Sequence, residues 1–271
     1  LAYKNLSVYY LFRSNTSMQF QQIDSLYTVG GVGLDYSLTM GNLASSLYLQ
    51  SYSKFYSAQF FIENKSTTLS WKLAFLADKQ RISCFENNYV SNHYVFDNDF
   101  LASNNQQLKL NLRYKNLLWS NTISTKMNYV YLDQNRAFQQ EQDPFMILSS
   151  QLNLNWNWKF LYGVHSIQNQ FTNNAAIYRV PALNTSSTIY LGNLFFDDVL
   201  NSKLGVDLDY FSSYKADAYL PALGTTHLQD QIEIGNQAYL TAFVSFTIHS
   251  FKLRFQFRNL TNYVNKQTYY S

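Results

Sequence analysis

Residues 238–260, AYLTAFVSFTIHSFKLRFQFRNL, alternate apolar with polar side chains in two halves. In the second half, counted in steps of two from Phe251, one face is phenylalanine and leucine and the other is polar or charged. Its cations all fall on that polar face: Lys252, Arg254 and Arg258. A period of two is that of a β-strand, and His249-Ser250 leaves room only for a tight turn. The stretch therefore predicts a β-hairpin with one apolar and one polar wall.

The same alternation recurs throughout the chain. It is clearest in five further segments: 32–40, 69–76, 106–113, 152–158 and 204–210. With the less regular segments included, and with Gly30-Gly31 taken as the end of the second strand, about 14 strands are indicated, most near the roughly 9–11 residues that cross an outer membrane. No segment has a convincing helical pattern. The sequence therefore predicts an all-β fold, a transmembrane antiparallel β-barrel of about 14–16 strands in a single domain over residues 1–271.

The connections between these segments differ in length in a regular way. From residue 106 onward, short connections (114–116, 159–160, 196–201, 249–250) alternate with longer ones (133–144, 172–185, 215–237). Short periplasmic turns and longer external loops are typical of outer-membrane barrels. The alternative is a large soluble β-domain, which has no reason to place every long loop at one end. A further long loop, 77–105, has room for an extra short hairpin.

The composition also favours a membrane barrel. Charged residues make up 14% of the chain, whereas ordinary soluble domains have about 25%. Aromatic residues reach 18%, and the mean hydropathy is −0.26 without any apolar run long enough for a transmembrane helix. With 20 Lys and Arg against 17 Asp and Glu, and no basic cluster, we expect no nucleic-acid partner.

Motifs for catalysis or cofactor binding are not found in the sequence. It has no glycine-rich phosphate loop, no Cys/His metal set and no nucleophile elbow, so we expect no enzyme activity, cofactor or metal site. His165-Ser166 and His249-Ser250 are pairs of neighbours. Neighbouring residues of a strand point to opposite faces, so neither pair can act as base and nucleophile together.

The charged residues of the alternating segments are the candidate functional residues. Seven of them are predicted to face the barrel lumen: Lys109, Arg113, Asp207, Asp209, Lys252, Arg254 and Arg258. One interpretation is that these charges pair across strands and fill a plugged interior. The other is an electropositive constriction that favours anionic solutes.

Several motifs follow one another between Ile177 and Asn262. They are Tyr178-Arg179-Val180-Pro181, Tyr190-Leu191-Gly192-Asn193-Leu194-Phe195, Leu204-Gly205-Val206-Asp207-Leu208-Asp209-Tyr210-Phe211-Ser212-Ser213-Tyr214, Ala218-Tyr219-Leu220-Pro221-Ala222-Leu223-Gly224 and Ile234-Gly235. Together they resemble the C-terminal half of the "putative porin" family of Bacteroidota outer membranes. Asn236-Gln237-Ala238-Tyr239 departs from that family, which tends to place a proline soon after the Ile-Gly pair. The resemblance implies an outer-membrane barrel without a defined solute.

Two functions follow as expectations. The first is a porin-like outer-membrane barrel of a Gram-negative bacterium that provides passive diffusion or transport of small polar solutes. The alternative is a non-conducting structural or accessory barrel subunit of a larger outer-membrane protein complex, with loops 77–105 and 215–237 as docking surfaces or a plug. Expected partners are the lipid bilayer with its lipopolysaccharide and, for the alternative, other outer-membrane proteins or lipoproteins.

The count of strands also predicts the direction of the chain. If the turn at His249-Ser250 is periplasmic, the last strand runs outward, and counting back through 14 strands makes Asn5–Phe12 run inward. Barrels of the resembled family keep both termini in the periplasm and have an even number of strands. We therefore expect at least one further strand beyond each end of the chain.

Overall fold

The structure is a computed structural model. It describes the backbone of residues 2–19, 22–52, 54–195 and 200–261, and the side chains of residues 36–51, 54–192 and 200–261. Its first elements are β1 (Ala2–Gln19), β2 (Gln22–Met40), β3 (Leu43–Tyr52), β4 (Phe55–Asn64), β5 (Leu69–Gln80), the short helix α1 (Cys84–Asn87), β6 (Asn88–Val90), β7 (Val95–Asp97), β8 (Ser103–Tyr114) and β9 (Leu117–Met127). The remaining strands are β10 (Tyr129–Leu132), β11 (Phe138–Glu141), β12 (Phe145–Trp158), β13 (Leu161–Thr172), β14 (Leu183–Phe195), β15 (Leu200–Phe211), β16 (Ala218–Leu220), β17 (Thr225–His227), β18 (Gln237–Ile248) and β19 (Phe251–Phe257).

The long strands form one antiparallel sheet. Within the described residues it has 13 strands in the order β1-β2-β3-β4-β5-β8-β9-β12-β13-β14-β15-β18-β19, so each strand pairs with the next long strand of the chain. The six short strands form three separate hairpins, β6–β7, β10–β11 and β16–β17. The prediction of an all-β antiparallel fold is confirmed. Residues 238–260 form the predicted hairpin, since β18 and β19 pair around His249, which has a φ of 50°.

The two faces of this sheet differ in chemistry. Directly opposite residues of an antiparallel pair share a face, so the register sorts side chains across many strands. One row of opposite residues is Phe75, Leu108, Ile123 and Leu148. A row on the other face is Glu63, Lys72, Asn111, Ser120 and Gln151. We call these the apolar face and the polar face.

One strand boundary was predicted wrongly. Gly30 and Gly31 do not end a strand but lie inside β2, opposite Phe12 and Leu11 of β1. A pair of glycines permits a turn but does not require one, and here both residues are extended and paired within the β1–β2 ladder. The described part of the chain therefore contributes 13 strands to the sheet, one fewer than the 14 counted from the sequence. As a result β1 begins at the end of the sheet where the short turns lie, and the predicted direction of Asn5–Phe12 is wrong.

The long connections lie together at one end of the sheet, the loop end. They are residues 81–102, 128–144, 173–182 and 212–236, and we call them the cap. Short connections lie at the opposite, turn end: 41–42, 65–68, 115–116, 159–160 and 249–250. The predicted short connection 196–201 lies mostly outside the described residues. By contrast, β2 follows β1 and β4 follows β3 without a long connection at the loop end. The predicted alternation from residue 106 onward is thus confirmed.

The cap has a hydrophobic core of its own. Phe96, Leu132 and Phe138 are buried together, and Leu223 packs against them from the last connection. The Phe138 ring lies 4.9 Å from that of Phe96 in an edge-on arrangement. The hairpin expected within 77–105 is confirmed as β6–β7. The long connections predicted at 133–144 and 215–237 also contain short strands, β11 in the first and β16–β17 in the second.

Candidate functional site: the polar face and its cap

The seven charged residues predicted to face the lumen lie in two separate groups. The first lies on β15 and β19, where Arg254 Nη2 is 2.8 Å from Asp207 Oδ2. The hydroxyl of Thr188 donates to Asp207 Oδ1 at 2.7 Å. The Arg254 guanidinium also lies 3.9 Å from the ring centroid of Phe243, which is only 4% exposed. Asp207 and Arg254 therefore neutralise each other locally, as the first interpretation of these charges requires.

Three other candidates surround this pair. Asp209 lies two residues beyond Asp207 on β15 and is exposed. Lys252, opposite Thr247, is exposed on β19. Arg258 lies just past the end of β19, and its Nε donates to Gln256 Oε1 at 2.9 Å.

The second group lines a groove on β4, β5 and β8. Its charged residues are Glu63, Lys65, Lys72, Lys109 and Arg113, and we call it the cation groove. The cavity has a volume of 490 Å³. Strands β9, β12, β13 and β14 separate β8 from β15, so the sheet does not bring the seven predicted residues to one site. Sequence alternation placed Lys72 on the polar side of its strand, but only the register shows it beside Lys109 and Arg113.

The cap covers the polar face near the loop end. Phe145 and Ile147 belong to the polar face, yet they are only 3% and 8% exposed. The rings of Tyr129 and Tyr178, both from the cap, lie 5.6 Å and 6.1 Å from the ring of Phe145. The cap therefore leans over the polar face, where it would narrow an opening at this end.

An ion pair ties two connections of the cap together. Arg179 Nη2 is 2.9 Å from Asp230 Oδ1, and Arg179 Nη1 also donates to the Gln229 carbonyl. The Arg179 side chain is 7% exposed and the Asp230 side chain 43%, so the guanidinium is buried from solvent and the carboxylate is not. Lys215 Nζ approaches the same carboxylate at 3.4 Å. Arg179 belongs to one of the motifs of the sequence, but its partner lies 51 residues away, so no local pattern identifies the pair.

These contacts predict a pH dependence for the cap. Desolvation raises the pKa of Asp230, but the charges of Arg179 and Lys215 and hydrogen bonds from Lys215 and Gln134 outweigh it, so the pKa is lowered. Because the pKa of Asp230 is lower in the folded protein, its ionised carboxylate stabilises the cap at pH values above the unfolded-state pKa. This stabilisation is lost as the pH falls through the folded-state pKa. We expect the Leu228 amide, which bonds the Leu132 carbonyl at 2.9 Å, to lose hydrogen-exchange protection below about pH 4.

Two substitutions make this test specific. Asp230→Asn should remove the acid-induced loss, because the titrating carboxyl is gone. Burial raises the pKa of Asp217, despite the opposing charges of Arg179 and His227, so Asp217→Asn should protect the same amide more strongly at neutral pH. An unchanged acid transition in Asp230→Asn would show that other groups control the cap.

The apolar face carries an unusual polar patch. Asn121, Ser150 and Asn169 lie opposite one another across β9, β12 and β13, near the middle of the strands. Two rows away on the same face, beyond the row of Leu152 and Ile167, His165 accepts a hydrogen bond from Trp156 Nε1 at 2.8 Å and contacts Ser187 Oγ at 3.0 Å. His165 and Ser166 lie on opposite faces, as predicted. Among the strand residues whose side chains are described, this face has one charged side chain, Lys79, next to the end of β5.

No metal site or membrane-spanning helix is found in the described parts of the chain. No three His, Cys, Asp or Glu side chains there come close enough to hold a metal ion. No described helix is long and apolar enough to cross a membrane.

The sequence matches the protein family described as "Putative porin" over residues 7–271. The chain belongs to this family. No curated protein sequence matches it. Porins are outer-membrane barrels, and the two chemically distinct faces agree with that architecture. Family membership and fold together make the chain an outer-membrane β-barrel protein.

Solved structures with a similar fold include receptors for ferric enterobactin and ferric preacinetobactin. The ferric enterobactin receptor PfeA has a TM-score of 0.62 at 10% identity, over 96% of this chain and 46% of the receptor. BauA, the ferric preacinetobactin receptor of Acinetobacter baumannii, has a TM-score of 0.51 at 11% identity, over 87% of this chain and 39% of the receptor. A mutant of PfeA from Pseudomonas aeruginosa has a TM-score of 0.58 at 10% identity, over 86% of this chain and 40% of the receptor. The chain spans less than half the length of each, and the likeness concerns the fold alone.

The motifs that carried the family resemblance lie mainly in the cap or next to it. Tyr178 packs on Phe145, Arg179 binds Asp230, and Leu220 is 7% exposed. Gly235 has a φ of 105°, and a side chain there would approach the Ser212 carbonyl oxygen to 2.6 Å. These residues therefore stabilise the cap through contacts between segments that are far apart in the sequence.

Proposed function

We propose that the protein is a non-enzymatic, porin-like channel that lets small polar solutes diffuse across the outer membrane of a Gram-negative bacterium. The observation that carries this proposal is the separation of chemistry between the faces. Charged and amide side chains cluster on the polar face, while Leu204, Val206 and Leu208 of β15 are each at least 40% exposed on the other. Apolar exposure of this kind suits the bilayer and its lipopolysaccharide, and the polar face suits a water-filled lumen.

The experiment combines conductance with cysteine accessibility. The full-length protein in a planar bilayer should show single-channel currents. In a Cys84→Ser background, Asn111→Cys should react with a membrane-impermeant thiol reagent and lose conductance, because Asn111 lies on the polar face. Leu110→Cys is the matched control, because Leu110 is the neighbour of Asn111 in β8 but its side chain lies on the apolar face. Absence of current, or labelling of Leu110→Cys instead, would contradict the proposal.

The polar patch on the apolar face favours a second candidate, an accessory barrel subunit of a larger outer-membrane complex. Polar side chains that face hydrocarbon are costly, and contact with another protein would satisfy them. Asn169 is exposed in this patch. After extraction in mild detergent, a partner should co-elute with the wild-type protein and with Val206→Leu but not with Asn169→Leu. Elution of the wild-type chain alone as a monomer would contradict this candidate.

A further inference from the structure

The cation groove has an excess of positive charge. Its lining contains four cations and, among the described residues, one carboxylate, for a net charge of +3. That carboxylate, Glu63, is shared: its Oε1 is 3.0 Å from Lys65 Nζ and its Oε2 is 3.9 Å from Lys72 Nζ. One carboxylate cannot neutralise the remaining cations of the groove.

Lys109 and Arg113 have uncharged direct neighbours. Lys109 lies opposite Ala74 and Thr122 in the ladder. Arg113 lies opposite Ser70 and Leu118. Both side chains are exposed, and within the described parts of the chain neither forms an ion pair. They therefore differ from Arg254, whose charge Asp207 compensates.

The spacing of the cations is compatible with a common ligand. Lys72 lies opposite Asn111, midway between Lys109 and Arg113 on the next strand. Diagonal neighbours of this kind are about 7–8 Å apart, within reach of long side chains. A guanidinium presents a planar fork of donors that fits carboxylate and phosphate oxygens, and a lysine adds a point charge. The amides of Asn111, Gln151 and Asn153 also line the groove.

We propose that the cation groove is a binding and selectivity site for small anions that carry carboxylate or phosphate groups. Its role in selectivity rests on the proposed channel function, whereas its capacity to bind an anion does not. The cavity of 490 Å³ is large enough for a small organic anion, since ligand sites commonly span about 300–1,000 Å³.

The first test measures ion selectivity of the full-length protein. Under a KCl gradient the wild-type channel should favour chloride over potassium. Lys109→Gln with Arg113→Gln should lower that preference about three- to tenfold, because unit charges about 7 Å apart in water interact with roughly RT each. The control with the same loss of charge is Lys54→Gln with Lys159→Gln, in two turns that do not line the groove, and it should leave the preference unchanged. Equal permeability in the wild type, or equal effects of both double variants, would overturn the selectivity role.

The second test measures binding in detergent solution, whether or not the protein conducts. The probe is the pyrene dye 8-hydroxypyrene-1,3,6-trisulfonate, followed by fluorescence anisotropy at low salt, with citrate and inorganic phosphate as competitors. Binding should weaken at least about fivefold in the Lys109/Arg113 double variant but not in the turn control. Displacement by citrate alone or phosphate alone would separate the two anion classes. Equal dye affinity in all three proteins would overturn the proposed site, and absence of current with intact binding would overturn the channel function alone.

Discussion

Phe138→Ala should destabilise the cap by about 3–5 kcal/mol and leave the sheet in place. Phe138 is 8% exposed at the centre of the cap core. Its ring lies 4.9 Å from that of Phe96 and 5.6 Å from that of Phe85, both edge-on. Truncation would remove these contacts and leave a cavity between β6–β7 and β10–β11. Because these hairpins are only a few residues long, their stability depends on this core rather than on their own ladders.

Hydrogen exchange can distinguish loss of the cap from loss of the fold. The amides of Leu228 and Asp133, which bond the carbonyls of Leu132 and Ala137 at 2.9 Å, report on the cap. Both should exchange faster in Phe138→Ala, while amides of β12 and β13 keep their protection. Val95→Ala is the control, because Val95 belongs to β7 but is 68% exposed. Unchanged cap amides in Phe138→Ala would show that the aromatic cluster does not hold the hairpins together.

The sheet could be predicted from the sequence because its information is local. A period of two assigns each side chain to a face without knowledge of the neighbouring strands. Alternation alone therefore predicts that Lys109 and Leu110 lie on opposite faces, as they do in the sheet. The error at Gly30-Gly31 has the same origin. A local glycine signal indicates a turn, but only pairing with β1 shows that the backbone continues.

The cap and the grouping of charges could not be predicted in this way. Leu101 and Gln140 exchange two hydrogen bonds, at 3.0 Å and 2.7 Å, although they are 39 residues apart. Such contacts depend on which loops lie side by side, and that order follows from the sheet. The same holds for the cation groove, since Glu63 and Lys109 lie on strands that meet β5 from opposite sides.

Ala242→Lys should destabilise the protein in a bilayer by about 2–4 kcal/mol, whereas Thr241→Lys should cost less than about 1 kcal/mol. The two residues are neighbours near the middle of β18 and lie on opposite faces. Ala242 lies opposite Val206 and Phe257 on the apolar face, so a lysine there would meet hydrocarbon at the depth where its charge is most costly. Thr241 lies opposite Asp207, so a lysine there would meet water and a carboxylate.

Guanidinium unfolding of the full-length protein from lipid vesicles, followed by tryptophan fluorescence, measures both changes in the free energy of unfolding. Each variant adds the same side chain to the same strand, so the change in net charge is matched. Replacing Thr241 loses more β-propensity than replacing Ala242, so a larger loss of stability in Ala242→Lys would come from the face and not from propensity. The small side chain of Ala242 also means that its replacement leaves no cavity. If Thr241→Lys were the more damaging substitution, the polar face would be the one that contacts lipid, and both the channel and its anion site would have to be abandoned. If the two losses were equal, neither face would contact hydrocarbon, and the sheet would not cross the membrane as proposed.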